Sequence, residues 1–573
     1  MEAERSHRRV RFGSYEIDEA AGELFNHGAR IKLPEQPFRI LQILLEQPGK
    51  LITREELCKR LWPGDTFVDF DHGINNAIKR LREALGDTAE TPHFIETLPR
   101  RGYRFIAELK PKEQRIPSLV VLPLENLSHD PDQEFFADGF TEELITGLAK
   151  ISSLRVVSRT TAMHYKGTRQ PLPLIAQELG VETVVEGTVL RSGKRVRISV
   201  QLIDARTDTH LWAERYERDL RDVLALQAEV ARAIAGEIKI KLTPAEQIQL
   251  TRMREVDPEI YEIYLRGRFQ FNKRTPEGLS KSAAYFQQAI ERDPNYAAAY
   301  AGLADSVSRL GWWGLVTPEE GCGRAKAAAL KAIALNGTLA EAHAALAFAT
   351  LNYDYSLLAS DEEARIATAL DPRSPGAAQV RACCLIARGR LEEGVAEALR
   401  SVQLDPLSLV HRWTAGILIL HARQYERAIE QCRKAIDLDP AFPPSHWAIS
   451  FALLEKRECE AAIEEMEAAV RATRRSPYYL GSLGYIYGKA GRKEDALAVA
   501  EELEGISKWQ YVSAYWTGLI YVSLNDRDSA FEWLEHAYKE HAPWLVFAKV
   551  SPWFDNVRDD PRFNDLLRRM NVP

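Results

Sequence analysis

The sequence predicts a multidomain protein with three parts: an α+β domain, a small α/β domain and an all-α array of repeated helix pairs. Short alternating strands and amphipathic helices fill residues 8–107, and strands alternate with helices over residues 118–242. Residues 257–573 are nearly all helical, with small residues recurring every 34 positions. A chain of 573 residues is long enough for three such domains.

The charge distribution excludes a nucleic-acid interface spread over the whole surface. The net charge is −7, and residues 1–110 contain 18 Lys and Arg against 18 Asp and Glu. Any DNA-binding surface must therefore be a local cluster of basic residues.

Two further features bear on the compartment. None of the six cysteines forms a C-x-x-C pair, which favours buried reduced thiols over disulfides or a metal site. The N-terminal residues lack the apolar stretch of a signal peptide, and no segment approaches the length of a membrane span. The sequence predicts a cytoplasmic protein that does not enter a membrane.

The first block contains two helices before its main polar helix. "PEQPFRILQILLEQPG" places Phe38, Leu41, Leu44 and Leu45 on one face and ends at Pro48-Gly49. "TREELCKRLW" begins with Thr53 as the N-cap, and Glu56 follows three residues later as in a capping box.

The third helix, "INNAIKRLREAL", carries the candidate base-reading residues. Its apolar stripe is Ile74, Ile78, Leu81 and Leu85, and its outer surface holds Asn75, Asn76, Lys79 and Arg80, with Arg82 at the flank. Amides can pair with adenine edges, whereas Lys and Arg reach guanine or phosphate. Alone, the same pattern also fits a solvated helix face with ion pairs.

The stretch "LPRRGYRF", residues 98–105, reads as a turn between two strands. Gly102 is expected to allow the turn, and Tyr103 and Phe105 to anchor its base. A helix pair whose second helix exposes Asn, Lys and Arg, followed by an arginine-rich turn, is a winged helix-turn-helix layout. It predicts the helix in the major groove and the turn, or wing, on the backbone or minor groove. The candidate wing contacts are Arg100, Arg101 and Arg104, of which Arg101 is favoured and Arg104 fits a backbone contact or a structural ion pair.

"LWP" at 61–63, "INNAIKRLREALGD" at 74–87 and "RRGYRF" at 100–105 resemble the OmpR/PhoB-type winged-helix domain. The resemblance places Asn75, Asn76, Lys79, Arg80 and Arg82 on the recognition helix and packs Tyr103 at the base of the wing. The Pro-Arg-Arg-Gly form is closer to the CadC-like branch, but no transmembrane segment follows. No receiver domain precedes the block, so a one-component regulator is expected. The loop "WPGDTFVDFDHG" corresponds to a segment that in this family can approach RNA polymerase.

Residues 118–242 resemble the TolB-N-terminal-like α/β domain, which brings no assigned catalytic residues. "GTVLRSGKR" departs from a phosphate-binding loop in its glycine spacing and in Arg195, and a hairpin turn is expected there. His129, Asp130, Asp132 and Glu134 have the spacing of a solvated loop rather than a metal site. The sequence predicts no enzyme activity, no metal and no cofactor.

The last block resembles the tetratricopeptide repeat, with roughly eight units predicted over residues 257–542. The in-phase small residues are Ala428, Ala462, Ala496 and Ala530, followed seven residues later by Ala435, Ala469 and Ala537. "GCGRAK" at 321–326 is expected to be a loop, and "SPWFDNVRDDPRFNDLLRRM" a polar-faced capping helix. The solenoid is expected to bind a protein or peptide in its groove. Alternatively, it only spaces or dimerises the DNA-binding heads.

Together these features predict a cytoplasmic transcriptional regulator that binds double-stranded DNA. A homodimer and a contact with RNA polymerase are further expectations. Two alternatives stay open: a repeat scaffold whose winged helix no longer binds DNA, and an enzyme within residues 118–242.

Overall fold

The structure is a computed structural model, and its contacts divide the chain into two compact units, residues 1–115 and residues 116–573. Each unit is described by itself. The described residues are 9–18, 21–26, 29–62, 70–107, 109–110, 117–193, 195–240, 242–244, 246–247 and 256–572.

In its described part, the first unit packs antiparallel sheets around a small helical core. One sheet has the strand order β4-β3-β2-β1-β8 and the other the order β5-β7-β6. Phe12, Leu44, Leu81 and Phe105 are fully buried in one hydrophobic core formed by strands and helices. The elements are β1 (Arg9–Phe12), β2 (Tyr15–Asp18), β3 (Glu23–Asn26), β4 (Ala29–Ile31), α1 (Glu35–Glu46), β5 (Leu51–Thr53), α2 (Arg54–Leu61), α3 (Phe70–Leu85), β6 (Ile95–Leu98), β7 (Gly102–Phe105) and β8 (Leu109–Lys110).

The helices of this unit follow the sequence pattern, with one difference at the start of α3. All four apolar residues expected on α1 are buried, and the Thr53 hydroxyl accepts the Glu56 amide at 3.2 Å as the N-cap of α2. However, α3 begins at Phe70, four residues before the expected Ile74. Gly73 lies in this extra turn, where an added Cβ would stand 3.3 Å from the Trp62 ring. The extra turn therefore packs against the end of α2.

The α/β part of the second unit is a mixed sheet flanked by helices, as predicted. The strand order is β11-β9-β12-β13-β14, with β10 beside β12; β9 pairs in parallel with β11 and β12, and β13 and β14 continue antiparallel. Gly193, with φ +59, lies in the tight turn between β12 and β13, so the "GTVLRSGKR" stretch is a hairpin. The elements are β9 (Ser118–Val121), β10 (Glu125–Asn126), α4 (Glu134–Ala149), β11 (Arg155–Val156), α5 (Arg159–Met163), α6 (Leu172–Leu179), β12 (Thr183–Ser192), β13 (Arg195–Asp204), β14 (Thr209–Asp219) and α7 (Val223–Glu237).

Helix pairs succeed one another after the α/β part, and the alanines repeated at 34 residues are buried where the helices of a pair cross. None of the described helices is long and apolar enough to cross a lipid bilayer. The helices are α8 (Pro258–Asn272), α9 (Pro276–Arg292), α10 (Ala297–Trp312), α11 (Arg324–Leu335), α12 (Ala340–Tyr353), α13 (Leu357–Leu370), α14 (Pro375–Ala387), α15 (Leu391–Leu404), α16 (Leu409–His421), α17 (Tyr425–Ile436), α18 (Pro443–Glu455), α19 (Cys459–Ala472), α20 (Pro477–Lys489), α21 (Lys493–Ser507), α22 (Ala514–Ser523), α23 (Arg527–Lys539) and α24 (Pro561–Arg569).

The expectation of a loop at residues 321–326 is wrong. A π-helical turn, Glu319–Gly323, runs directly into α11. An added Cβ on Gly321 would collide with the backbone of Gly311 in α10. Gly311 and Gly321 therefore permit a close backbone crossing, which the position of the stretch between two repeat helices does not indicate.

The expected capping helix is also only partly correct. Only α24 is an α-helix, whereas the preceding Pro552–Val557 forms a 3₁₀ turn whose Trp553 and Phe554 are completely buried. We call residues 542–557 the returning segment, because they run back along helices formed much earlier in the chain.

The returning segment packs against the first helices of several pairs. The Trp544 ring centroid lies 4.3 Å from that of Trp312 in α10, and the Trp553 centroid lies 4.4 Å from that of Phe451 in α18. The Tyr355 hydroxyl, just after α12, donates to the Ala542 carbonyl at 3.0 Å. Aromatic residues of the chain itself thus cover part of the face that these first helices form.

The α/β part and the first repeats share one core and a buried charge cluster. Arg268 of α8 and Asn272 donate to the carboxylate of Glu142 in α4 at 2.9 and 2.8 Å, and the Arg159 Nε lies 3.0 Å from it. Burial opposes the charge on Glu142, but the two guanidiniums outweigh it and hold its pKa at about 2. Arg373 also donates to carbonyls of the α/β part, including that of Ile151 at 3.3 Å.

Candidate nucleic-acid interface

The amphipathic pattern of α3 decides which of its side chains face outward. Ile74, Ile78, Leu81 and Leu85 are all buried in the core of the first unit. With this stripe turned inward, the side chains of Asn76, Lys79 and Arg80 are exposed on the opposite surface. They form a polar strip of amide, ammonium and guanidinium groups, the side-chain types that read base edges.

Asn75 is also exposed, but its amide carbonyl is already used within the domain. It accepts hydrogen bonds from the Arg54 guanidinium at 2.9 Å and from the Tyr103 hydroxyl at 3.0 Å. Arg54 also donates to the Tyr103 hydroxyl at 3.0 Å. This triangle joins the start of α2, the start of α3 and strand β7, so it fixes the angle between the helix and the strand.

Two of the predicted arginine contacts are likewise held by the protein. Arg82 donates to the Ile95 carbonyl at 2.5 Å and to the Thr97 hydroxyl at 2.9 Å, which ties α3 to β6. Arg104 lies directly opposite Glu96 in the β6–β7 pair, and their charged groups are 3.4 Å apart. Both guanidiniums brace the strands of the wing.

The wing itself is the β6–β7 hairpin with Pro99, Arg100 and Arg101 at its tip. The Arg101 amide donates to the Leu98 carbonyl at 3.0 Å, closing a four-residue turn. Pro99 is the first central residue of this turn and Arg100 the second, with φ +61, as a type II turn requires. The side chains of Arg100 and Arg101 are exposed.

Gly102 has a different role from the one expected of it. The left-handed turn residue is Arg100, whereas Gly102, at φ +153, lies where β7 passes β5. An added Cβ would collide with the carbonyl oxygen of Ile52. Gly102 therefore permits the close approach of the wing to the body of the domain.

Asp87 is a supporting residue that the sequence reasoning missed. Its buried carboxylate accepts four backbone amides, those of Thr88 and His93 on one oxygen and of Phe94 and Ile95 on the other, at 2.7 to 3.2 Å. It thereby holds the chain between α3 and the wing. The sequence feature that could have revealed this role is the position of an acidic residue directly after Gly86, which ends the helix.

Five of the eight predicted contact residues remain available for a ligand. Asn76, Lys79, Arg80, Arg100 and Arg101 are exposed, and their side chains make no hydrogen bond or ion pair with any other described residue. We call these five the open set. Four of them are cations, two next to each other on α3 and two next to each other at the wing tip. The loop predicted to approach RNA polymerase falls largely on residues 63–69, which lie outside the described residues.

Comparison with known families agrees with this geometry. Residues 28–105 match the family described as "Transcriptional regulatory protein, C terminal". Residues 28–105 form a DNA-binding domain of the OmpR/PhoB type. All eight predicted contact residues lie inside this OmpR/PhoB-type domain. Residues 114–233 match the second domain of HilA/YgeH-like transcriptional regulators.

Similar proteins include both regulators and an enzyme relative. Putative adenylate cyclase 3 of Rhizobium meliloti is 36% identical over 293 residues, which cover 50% of this chain and 48% of the relative. Thus the chain spans about half the length of that relative. The transcriptional regulator HilA of Salmonella typhi is 23% identical over 413 residues, 70% of this chain and 71% of HilA. The Klebsiella pneumoniae RstA DNA-binding domain, solved in complex with the RstA box, is 32% identical with a TM-score of 0.16, covering 18% of this chain and 98% of that one.

Proposed function

We propose that this chain is a one-component transcriptional regulator that binds double-stranded DNA through its OmpR/PhoB-type domain. The open set carries the proposal: three side chains on the outer surface of α3 and two arginines at the wing tip. In the proposed complex α3 enters the major groove, and the wing lies against the backbone or the minor groove.

The contacts within the domain suggest a division of roles. Asn76, Lys79 and Arg80 read base edges or phosphates, and Arg100 and Arg101 contact the backbone or minor groove. Asn75, Arg82 and Arg104 act as positioning residues, because their polar groups already join α3 to the wing.

The second unit supplies the other proposed activities. The α/β part and the repeats receive a signal from a protein or a small molecule, and the regulator acts in the cytoplasm, where its DNA lies. We also propose that it functions without catalysis of its own, as a homodimer, and that it contacts RNA polymerase. The match to a putative adenylate cyclase makes an enzyme the alternative, and a scaffold without DNA binding is the other.

Salt dependence of DNA binding by the full chain tests the proposal. Selection of bound genomic fragments provides the DNA, and log K is then measured against log salt. Arg101→Ala should weaken binding to all fragments alike and make the negative salt slope shallower by about 1, because one phosphate contact is lost.

The matched control is Arg206→Ala, which removes another exposed arginine, from the turn between β13 and β14. It should leave both affinity and slope unchanged. If the folded chain binds no fragment even at low salt, the regulator proposal is wrong and the scaffold and enzyme alternatives remain.

A further inference from the structure

Strand β14 leaves one long edge of its sheet unpaired. It is the last strand in the order β11-β9-β12-β13-β14, and among the described residues only β13 pairs with it. Apart from Trp212 and Tyr216, all residues from Thr209 to Asp219 are exposed. The free edge thus offers a row of backbone N–H and C=O groups, which is a template for another strand.

The charge pattern around Tyr216 is complementary to itself. If a second copy of β14 lies antiparallel with Tyr216 opposite Tyr216, Glu214 faces Arg218 and Arg215 faces Glu217. The two-fold symmetry repeats both pairs, so four pairs of opposite charge line the new junction. Opposed charges across antiparallel strands stabilise the pairing.

Neighbouring registers are disfavoured by the same residues. Centring the pair on residue 215 or 217 places Arg215 or Glu217 opposite its own copy. Placing the two-fold axis between residues 215 and 216 brings Glu214 opposite Glu217. Placing it between residues 216 and 217 brings Arg215 opposite Arg218. Each alternative contains a pair of like charges, which is destabilising. The pattern therefore favours the register centred on Tyr216 over the four registers nearest to it.

Three of the four side chains concerned already have partners within the chain. Glu214 accepts a hydrogen bond from the Tyr216 hydroxyl at 2.7 Å on one carboxylate oxygen, which leaves the other oxygen for a new pair. Glu217 has only surface partners, with Arg195 and Arg197 both at 3.3 Å, and Arg218 lies 3.4 Å from Glu229 of α7. These partners are partly exposed, so their contacts are weak and can be shared with a second chain. Arg215 makes no hydrogen bond or ion pair with another described residue.

We infer that two copies of this chain pair through β14, antiparallel and centred on Tyr216, and form one continuous sheet. The inference deepens the homodimer part of the proposed function and names its surface. The partner at the β14 edge is a second copy of the chain, because the charges of residues 214–218 are complementary to the same residues in an antiparallel copy.

The test measures the mass of the full chain by sedimentation equilibrium without DNA. The wild type should dimerise reversibly. Arg215→Glu puts two acidic pairs at the junction, and Glu217→Arg puts two basic pairs there. Each should raise the dimer dissociation constant by roughly tenfold or more. Mixing the two variants should restore a dimer, because in the mixed pair each new charge faces an opposite one.

Arg206→Glu, on the turn beside β14, is the control and should dimerise like the wild type. Far-UV circular dichroism verifies that each variant is folded. A wild type that stays monomeric, a dimer unaffected by both substitutions, or a mixture that does not reassociate would each overturn the inference. DNA binding is measured separately on the same samples, so failure of the dimer and failure of the regulator are distinct results.

Discussion

The outer surface of the winged helix and the first helices of the repeats differ in whether other residues of the chain cover them. On the winged helix, the open set projects to solvent while neighbouring polar residues brace it. On the repeats, the returning segment covers first helices of several pairs, with Trp553 and Phe554 completely buried. On the winged helix, hydrogen bonds join α3 to the wing and leave the open set exposed. On the repeats, aromatic residues from later in the chain complete the core. A repeated fold therefore does not by itself provide an open groove.

The largest expected effect tests whether the returning segment is part of the core. Trp553→Ala should lower the free energy of unfolding of residues 116–573 by about 3–5 kcal/mol, as for a large aromatic removed from a packed interior. Chemical denaturation of the full chain measures it. Trp509→Ala, which removes a tryptophan that is 71% exposed, should change stability by less than about 0.5 kcal/mol. Equal effects from the two would show that the segment is only loosely attached.

A smaller effect is expected where the wing meets the body of the winged helix. Gly102→Ala should lower the stability of the first unit by about 2–4 kcal/mol and weaken DNA binding, because the methyl group meets the Ile52 carbonyl. The control is Gly49→Ala, also at positive φ but with open space around it, which should cost about 1–2 kcal/mol and leave DNA affinity unchanged. Thermal unfolding and DNA titration of both variants show whether the close approach of Gly102 to Ile52 or the positive φ angle determines the loss of stability and of DNA affinity.

The smallest effect is a pH dependence confined to the repeat core. Burial lowers the pKa of His421 to about 3, and its ring stacks on Phe547 of the returning segment at 5.2 Å. The unfolded chain binds a proton below about pH 6.5 and the folded protein does not, so this histidine destabilises the fold as the pH falls from 6.5 toward 3.

His421→Phe should remove this loss. The stability of the variant relative to wild type should rise by about 2 kcal/mol between pH 7.5 and pH 5. His446 is the control of opposite sign, because its hydrogen bond with Glu465 raises its pKa; its contribution is present below pH 6.5 and is lost as the pH rises through the folded value. A constant difference between His421→Phe and wild type at all pH values would contradict the burial of a neutral ring.

Periodicity explains what the sequence could predict of the fold. The spacing of Ile74, Ile78, Leu81 and Leu85 determines which face of α3 is buried, and hence which residues are exposed. The 34-residue alanine pattern likewise predicts the helix pairs, since small residues are needed wherever two helices cross.

The roles of individual polar groups could not be predicted in the same way. Asn75 and Asn76 are adjacent and chemically identical, and only the positions of Arg54 and Tyr103 separate them. Similarly, the aromatic residues around Trp544 fit either a peptide groove or a filled core. Such distinctions depend on contacts between distant parts of the chain, which a local pattern does not encode.

The returning segment has a consequence for how the protein is made on the ribosome. The Tyr355 hydroxyl bonds to the Ala542 carbonyl, 187 residues further along the chain. When helix α12 emerges, the residues that will cover it have yet to be translated. The aromatic interior of the repeats is therefore exposed through the synthesis of nearly 200 residues, in contrast to repeat arrays whose units contact only their neighbours. Premature termination in this interval would leave a chain with that interior uncovered, which is the kind of surface that chaperones and proteases recognise.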